Sequence, residues 1–306
     1  MSKTAFVFPG QGSQYVGMGK DLYDQFPEAR EAYDTADKIL HLPLSKLCFE
    51  GPEEELRLTE NTQPAIFTTS IACLRLLEKR GIRPDVVAGH SIGEYAALVA
   101  AGVIGFEEAL PLVRIRGELM QEVGKRYAGA MAAIIGLDTD DVRAICAKAN
   151  IDIANYNSPG QIVISGEIKA VEAASEYAKE AGARKVIPLN VSGAFHSRLM
   201  SDAAERLAIE LNRNRFSDTK IPVVANVLAD YVHSAGSIRD ALQRQIVGSV
   251  HWDESVTRMA NDGVDLFVEV GPGKVLSGLI KRTVESVEVR NVGDTTSLEK
   301  FLMRNG

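Results

Sequence analysis

Val86-Val87-Ala88-Gly89-His90-Ser91-Ile92-Gly93-Glu94 decides how this chain folds. Three apolar residues end in a glycine, a serine follows two places later, and a second glycine opens a helix-forming run over 92–101, closed by Gly102. The pattern predicts a short buried strand, a sharp turn and a helix, with Ser91 at the apex of a G-x-S-x-G elbow. Each part has a physical task. The flanking glycines let strand and helix approach without a Cβ between them. The helix N-terminus offers free N–H groups, that of Ile92 among them, to a developing oxyanion. Taken alone, the pentapeptide also fits a tight turn in which the serine is a bystander.

Outward from the elbow, apolar runs alternate with helical patterns, which predicts an α/β protein with a largely parallel sheet. Residues 4–8 read as a buried strand, followed by the turn-rich Pro9-Gly10-Gln11-Gly12-Ser13. A helix is expected over 21–40. Asn61-Thr62-Gln63-Pro64 reads as punctuation before a helix over 65–80 that ends at Gly81. The next helix is expected to start near Pro111, where proline is tolerated, and to reach about Lys125.

The texture changes after Tyr127. Strands at 130–135, 151–156, 161–165 and 185–189, with helices at 138–150 and 170–181, follow the order βαββαβ of the ferredoxin-like unit. The expected organisation is therefore a body of residues 1–126 and 194–306 with an insert of 127–193. Body strands are expected again at 221–227 and 266–270, and a helix at 274–283.

Bulk properties narrow the function classes. The chain has 306 residues, 45% of them hydrophobic and 25% charged, enough for a sizeable core. No apolar run approaches the roughly 20 residues that span a bilayer, and the start of the chain lacks the pattern of a signal peptide. A cytoplasmic protein without a membrane partner is expected. The net charge of −7 weighs against nucleic acid. Cys48, Cys73 and Cys146 are odd in number and far apart, so they suggest neither a disulfide framework nor a metal site.

A serine needs a base. Of five histidines, His41 and His233 lie in polar stretches, His90 is too close along the chain to face Ser91, and His251 lacks a catalytic context. His196 sits among small residues in Val191-Ser192-Gly193-Ala194-Phe195-His196-Ser197. It reads either as a base on a loop beside a pocket or as a satisfied core histidine.

Gly10-Gln11-Gly12-Ser13-Gln14, the elbow through Glu94, Arg116-Gly117 with Met120, Gly193-Ala194-Phe195-His196 and Glu269-Val270-Gly271-Pro272-Gly273 occur in that order. Together they resemble the malonyl-CoA:acyl-carrier-protein transacylase family over nearly the whole chain. The resemblance implies an α/β-hydrolase-like body with a ferredoxin-like insert. It implies that Ser91 attacks a thioester, that His196 is its base, and that the N–H groups of Gln11 and Ile92 form the oxyanion hole. It implies that the main-chain carbonyl of Gln245, in place of a carboxylate, orients His196. By the same resemblance Arg116 grips the malonyl carboxylate, for which a guanidinium fork is suited. Read without the family, Arg116 would pass for one half of a surface salt bridge. Met120 shares a helix face with Arg116, whereas Arg114 points elsewhere and reads as the solvent arginine.

By resemblance to related polyketide acyltransferases, the bulk of Phe195 and Ile92 implies a pocket sized for malonyl rather than methylmalonyl. Asn155 and Gln161 match polar positions of the family's insert, in the site or in turns. The implied reaction is ping-pong, with malonyl-CoA and the phosphopantetheine thiol of acyl carrier protein as substrates and no cofactor or metal. A monomer is expected, as is common in the family. The carrier is acidic, so docking needs a local basic patch; Arg184 with Lys185, and Lys274 with Lys281 and Arg282, are the candidates. Three rival readings share the same residues: a polyketide acyltransferase, a serine hydrolase or thioesterase, and a silent scaffold.

Overall fold

The computed structural model describes residues 3–303. Residues 1, 2 and 304–306, which fall in the expected body, lie outside the described residues. Among the described residues eleven strands run in chain order as β1 (Lys3–Phe8), β2 (Val86–Gly89), β3 (Gly129–Ile135), β4 (Asp152–Ser158), β5 (Gln161–Glu167) and β6 (Lys185–Pro188). They continue as β7 (Val223–Ala225), β8 (Asp230–Val232), β9 (Val250–His251), β10 (Val264–Val270) and β11 (Glu288–Val292).

One sheet has the order β11-β10-β1-β2-β7-β8. It is parallel from β11 to β7, with only β8 antiparallel at one edge. Both faces of its centre are covered. Phe6, Phe8 and Val87 enter the large core on one side, and Ala5, Val7, Val86 and Ala88 pack with Trp252 and Met259 on the other. That explains why the central strands read as unbroken apolar runs rather than alternating ones.

The second sheet has the order β6-β3-β5-β4-β9. Its first four strands are antiparallel neighbours in the ferredoxin-like arrangement. Ala132, Ile134, Ile162 and Ile164 turn to a local core under helices Thr139–Ala149 and Ile168–Glu180. Met131, Ala133, Ala154 and Val163 turn the other way and join the body's core. β9, from the returning chain, pairs in parallel with β4 and ties the two sheets together.

Three helical expectations change. The helix expected over 21–40 is two, Lys20–Gln25 and Pro27–Leu40, because Phe26 takes the extended conformation (φ −125°) that a following proline favours. Pro64 does not interrupt its helix, which runs Thr59–Lys79. The carbonyl of Glu60 that loses its partner to Pro64 accepts instead from Arg114 Nη1 at 2.8 Å. Helix Phe106–Arg126 likewise begins before Pro111, anchored by buried Phe106, Ala109 and Leu110, with the Phe106 ring 5.6 Å from that of Phe67. Arg114 is thus no solvent arginine. It binds Glu60, Asn61 and Glu118 and staples these two helices at their crossing. Gly117 permits the crossing, since a Cβ there would stand 2.9 Å from the Glu60 backbone.

The same argument governs the elbow. A Cβ on Gly93 would lie 2.1 Å from the Phe8 carbonyl oxygen, and one on Gly89 would lie 2.0 Å from the Gly93 backbone. Gly93→Ala should therefore destabilise the protein by at least about 1–3 kcal/mol, the usual cost of overpacking. Urea unfolding of the variant against the parent checks this.

Candidate active site

The strand β2 ends at Gly89, and Ser91 turns the chain into helix Gly93–Ala100 with φ at 51°. A left-handed serine is strained and must be held by its surroundings. Asn226, just past β7, provides the hold. Its Oδ1 accepts from the Ser91 N–H at 2.7 Å, and its Nδ2 donates to the Gly89 carbonyl at 2.6 Å. Both ends of the turn are thereby tied to the next strand.

The serine hydroxyl is 2.8 Å from His196 Nε2. On the other side of the ring, Nδ1 is 2.7 Å from the Gln245 main-chain carbonyl. A carbonyl only accepts, so Nδ1 carries the proton and Nε2 presents its lone pair to Ser91. His196 is itself left-handed, with φ at 54°. Burial, reinforced by the Arg116 charge, depresses its pKa from 6.5 to about 3, so the ring rests neutral.

Arg116 lies on helix Phe106–Arg126 and is only 1% exposed. Its Nη1 donates to Gln63 Oε1 at 2.7 Å; its Nη2 donates to Ser91 Oγ at 3.1 Å and Gln245 Oε1 at 2.9 Å. Its acceptors are all neutral, and among the described residues no carboxylate pairs with it directly. Gln63 Nε2 reaches the Met120 sulfur at 3.4 Å, so Met120 stands on the arginine's flank.

A cavity of about 90 Å³ opens over these groups. The body lines it with Gln11, Ser91, Arg116 and Met120, and the second sheet with Met131 and Asn155; Phe195 and His196 close one side. Among the described residues the N–H groups of Gln11 and Ile92 have no internal partner, and both residues line this cavity. A side chain on Gly10 would strike the His90 carbonyl at 2.6 Å, which is why the first loop can lie against the elbow.

The structure thus gathers Ser91, His196, Gln11, Ile92, Arg116, Met120 and Phe195 around one space, with Gln245 behind them. Asn155 joins them, whereas Gln161 lies outside and accepts from Arg282 Nη1 at 2.6 Å. His90 also lines the space, its Nε2 2.9 Å from Asn157 Oδ1. The three cysteines are buried away from it, with thiol pKa values pushed up by burial. Asn226, Gln63 and the inward face of Glu94 were not picked out in the sequence. Asn226 had one usable signal: a polar residue directly after an apolar body strand, where α/β sites assemble.

Comparison with known proteins shows the family. Residues 5–302 match the acyl transferase domain family. A malonyl CoA-acyl carrier protein transacylase of Bacillus subtilis is 49% identical, covering 98% of this chain and 96% of its own. The chain belongs to the malonyl CoA-acyl carrier protein transacylase family. The Escherichia coli K12 transacylase is 45% identical over 99% of both chains. The crystal structure of an acyl carrier protein S-malonyltransferase from Vibrio cholerae superposes with a TM-score of 0.94 at 44% identity, covering 98% of this chain and all of that one. A malonyl-transacylase in complex with a type II PKS acyl-carrier protein superposes with a TM-score of 0.96, also at 44% identity, covering 99% and 100%.

His196 gives up its base form only near pH 3, so acyl transfer should not fall as pH drops from 7 to about 5. A pH–rate profile of kcat/KM checks this; a loss centred near 6.5 would show an ordinary histidine.

Proposed function

We propose that this protein transfers a malonyl group from coenzyme A to the phosphopantetheine thiol of an acyl carrier protein through a Ser91 acyl-enzyme, in fatty acid synthesis. The observation that carries the reading is Arg116: a buried guanidinium, facing only neutral acceptors, 3.1 Å from the serine hydroxyl. A buried cation without a contacting anion is costly. An acyl group bearing its own carboxylate supplies that anion in the step where it is needed.

In the first half-reaction Ser91 Oγ attacks the thioester carbonyl while His196 Nε2 takes its proton. The imidazolium is steadied through Nδ1–H by the Gln245 carbonyl. The N–H groups of Gln11 and Ile92 receive the oxyanion. The intermediate collapses by breaking the C–S bond, and His196 returns the proton to the departing thiolate. In the second half-reaction His196 deprotonates the pantetheine thiol, which attacks the serine ester. Breaking the C–O bond returns the proton to Ser91. Metal and cofactor have no part in these steps.

Residues 127–193 are read as an insert that forms one wall of the acyl site through Met131, Asn155, Leu189 and Val191. Arg184 and Lys185, and Lys274, Lys281 and Arg282, are exposed and remain the proposed carrier contacts. No described helix is long and apolar enough to cross a membrane.

Brief incubation with malonyl-CoA should add one malonyl mass to the intact protein, and Ser91→Ala should add none. An equal adduct on the variant would remove Ser91 from its role. Arg116→Ala should cut kcat/KM for malonyl-CoA about 100-fold or more, as expected for loss of a charge-assisted pair. It should leave acetyl-CoA far less affected, and steady-state kinetics with both thioesters checks the split.

A further inference from the structure

Glu94 is a buried carboxylate beside the site that the reaction above leaves unused. It stands in the first turn of helix Gly93–Ala100 and is 1% exposed. Its Oε2 accepts from the Asn226 N–H at 3.0 Å and from Gln245 Nε2 at 2.9 Å. The other end of that same amide, Gln245 Oε1, accepts from Arg116 Nη2 at 2.9 Å. One side-chain amide therefore spans the carboxylate and the guanidinium, donor toward the anion and acceptor toward the cation. Reversing the amide would set like partners against each other at both ends, so the two charges fix its orientation.

The surroundings single out this pairing. Arg116, from helix Phe106–Arg126, is the cation that acts on Glu94. Tyr95, next to Glu94 on its own helix, is buried with its hydroxyl unpartnered and its pKa raised, so it is uncharged. Burial keeps His90 and His196, from the elbow and the returning loop, in their neutral forms. Asn226 and Gln245 complete the shell as neutral amides.

We propose that Glu94, acting through the Gln245 side-chain amide, positions Arg116 and serves as its resident counter-anion, and so sets how strongly the site favours a carboxylate-bearing acyl group over an uncharged one. The proposal rests on the reading of Arg116 as the carboxylate grip. It makes Glu94 a positioning residue, since it touches neither substrate nor the reacting atoms.

With malonyl bound, two anions share one guanidinium. The substrate carboxylate binds best when Glu94 is protonated and less well when it is ionised. Burial raises the Glu94 pKa from 4.5 to about 7, so this charge changes across neutral pH. Below that value Arg116 serves the substrate alone; above it Arg116 is shared. Preference for malonyl should fall as pH rises. Reciprocally, arrival of the malonyl carboxylate should raise the Glu94 pKa and draw a proton from solution.

Glu94→Gln keeps the shape, because one amide oxygen can accept both hydrogen bonds now made by Oε2. With wild type, the ratio of kcat/KM for malonyl-CoA to that for acetyl-CoA should fall roughly fivefold between about pH 6 and about pH 8.5, a common size for coupling between sites. With Glu94→Gln the ratio should be flat. Using the ratio cancels ionisation of the coenzyme A phosphates, common to both substrates. A merely structural role would lower both rates without flattening it. A variant ratio that tracks the wild-type curve overturns the proposal.

A second measurement needs no variant. Wild-type enzyme mixed with malonyl-CoA in weak buffer near pH 7, with an indicator dye, should take up a fraction of a proton, and with acetyl-CoA none. The acylation step consumes no proton there, since the released thiol stays protonated. Absence of uptake with malonyl-CoA, while the acyl-enzyme forms, overturns the role of Glu94 alone. Failure of malonyl-CoA to acylate the protein at any pH would instead contradict the functional reading beneath it.

Discussion

Everything in the site depends on a left-handed serine held between a strand and a helix. With φ at 51°, Ser91 occupies a conformation that its own side chain disfavours. The strain is contained by contacts too close for any added atom: Gly89 against Gly93, and Gly93 against Phe8. Asn226 then ties the serine's N–H and the preceding carbonyl to the neighbouring strand. The turn projects the hydroxyl outward and leaves the Ile92 N–H without a partner among the described residues. In the proposed mechanism one constraint thus yields both the half-buried nucleophile and an oxyanion donor.

A second constraint is electrostatic. Arg116 is sealed from water, and its charge is met by amide and hydroxyl dipoles rather than by a contacting carboxylate. Gln245 links the two constraints in one residue. Its backbone carbonyl fixes the tautomer of His196, and its side chain connects Arg116, Glu94, Asn226 and the Ser91 carbonyl. In the proposed mechanism the base and the acyl-group grip are therefore positioned by the same helix end. Movement of Ala235–Gln245 would disturb both, so chemistry and selectivity share one support.

Much of this was legible in the sequence, for physical reasons. The elbow announces itself because a tight strand–helix turn needs glycine at fixed offsets. The parallel sheet is readable because strands buried on both faces become unbroken apolar runs. The ferredoxin-like order is readable because its elements alternate in period. Other features carry no local signal. The break before Pro27 was missed because the helical pattern continues on both sides of it. Pro64 reads as a helix break because its compensation, an arginine from another helix, is a tertiary event. From composition alone nothing distinguishes a glutamine whose backbone oxygen serves a histidine; Gln245 came from family resemblance. Gln63 and Asn226 act only where distant segments meet, and Arg116 is a buried cation in a stretch that looks like an ordinary exposed helix face.

In the proposed mechanism the serine ester is built to be passed to a thiol. The most direct measurement is the partition of isolated malonyl-enzyme between transfer and hydrolysis, followed by intact mass with and without phosphopantetheinylated carrier protein. Carrier protein should discharge the ester at least about 100-fold faster than buffer does, with malonyl appearing on the pantetheine thiol; such a factor corresponds to about 2.7 kcal/mol between the two barriers. Discharge by water at the same rate, with the carrier left unmodified, would contradict it and make the protein a hydrolase.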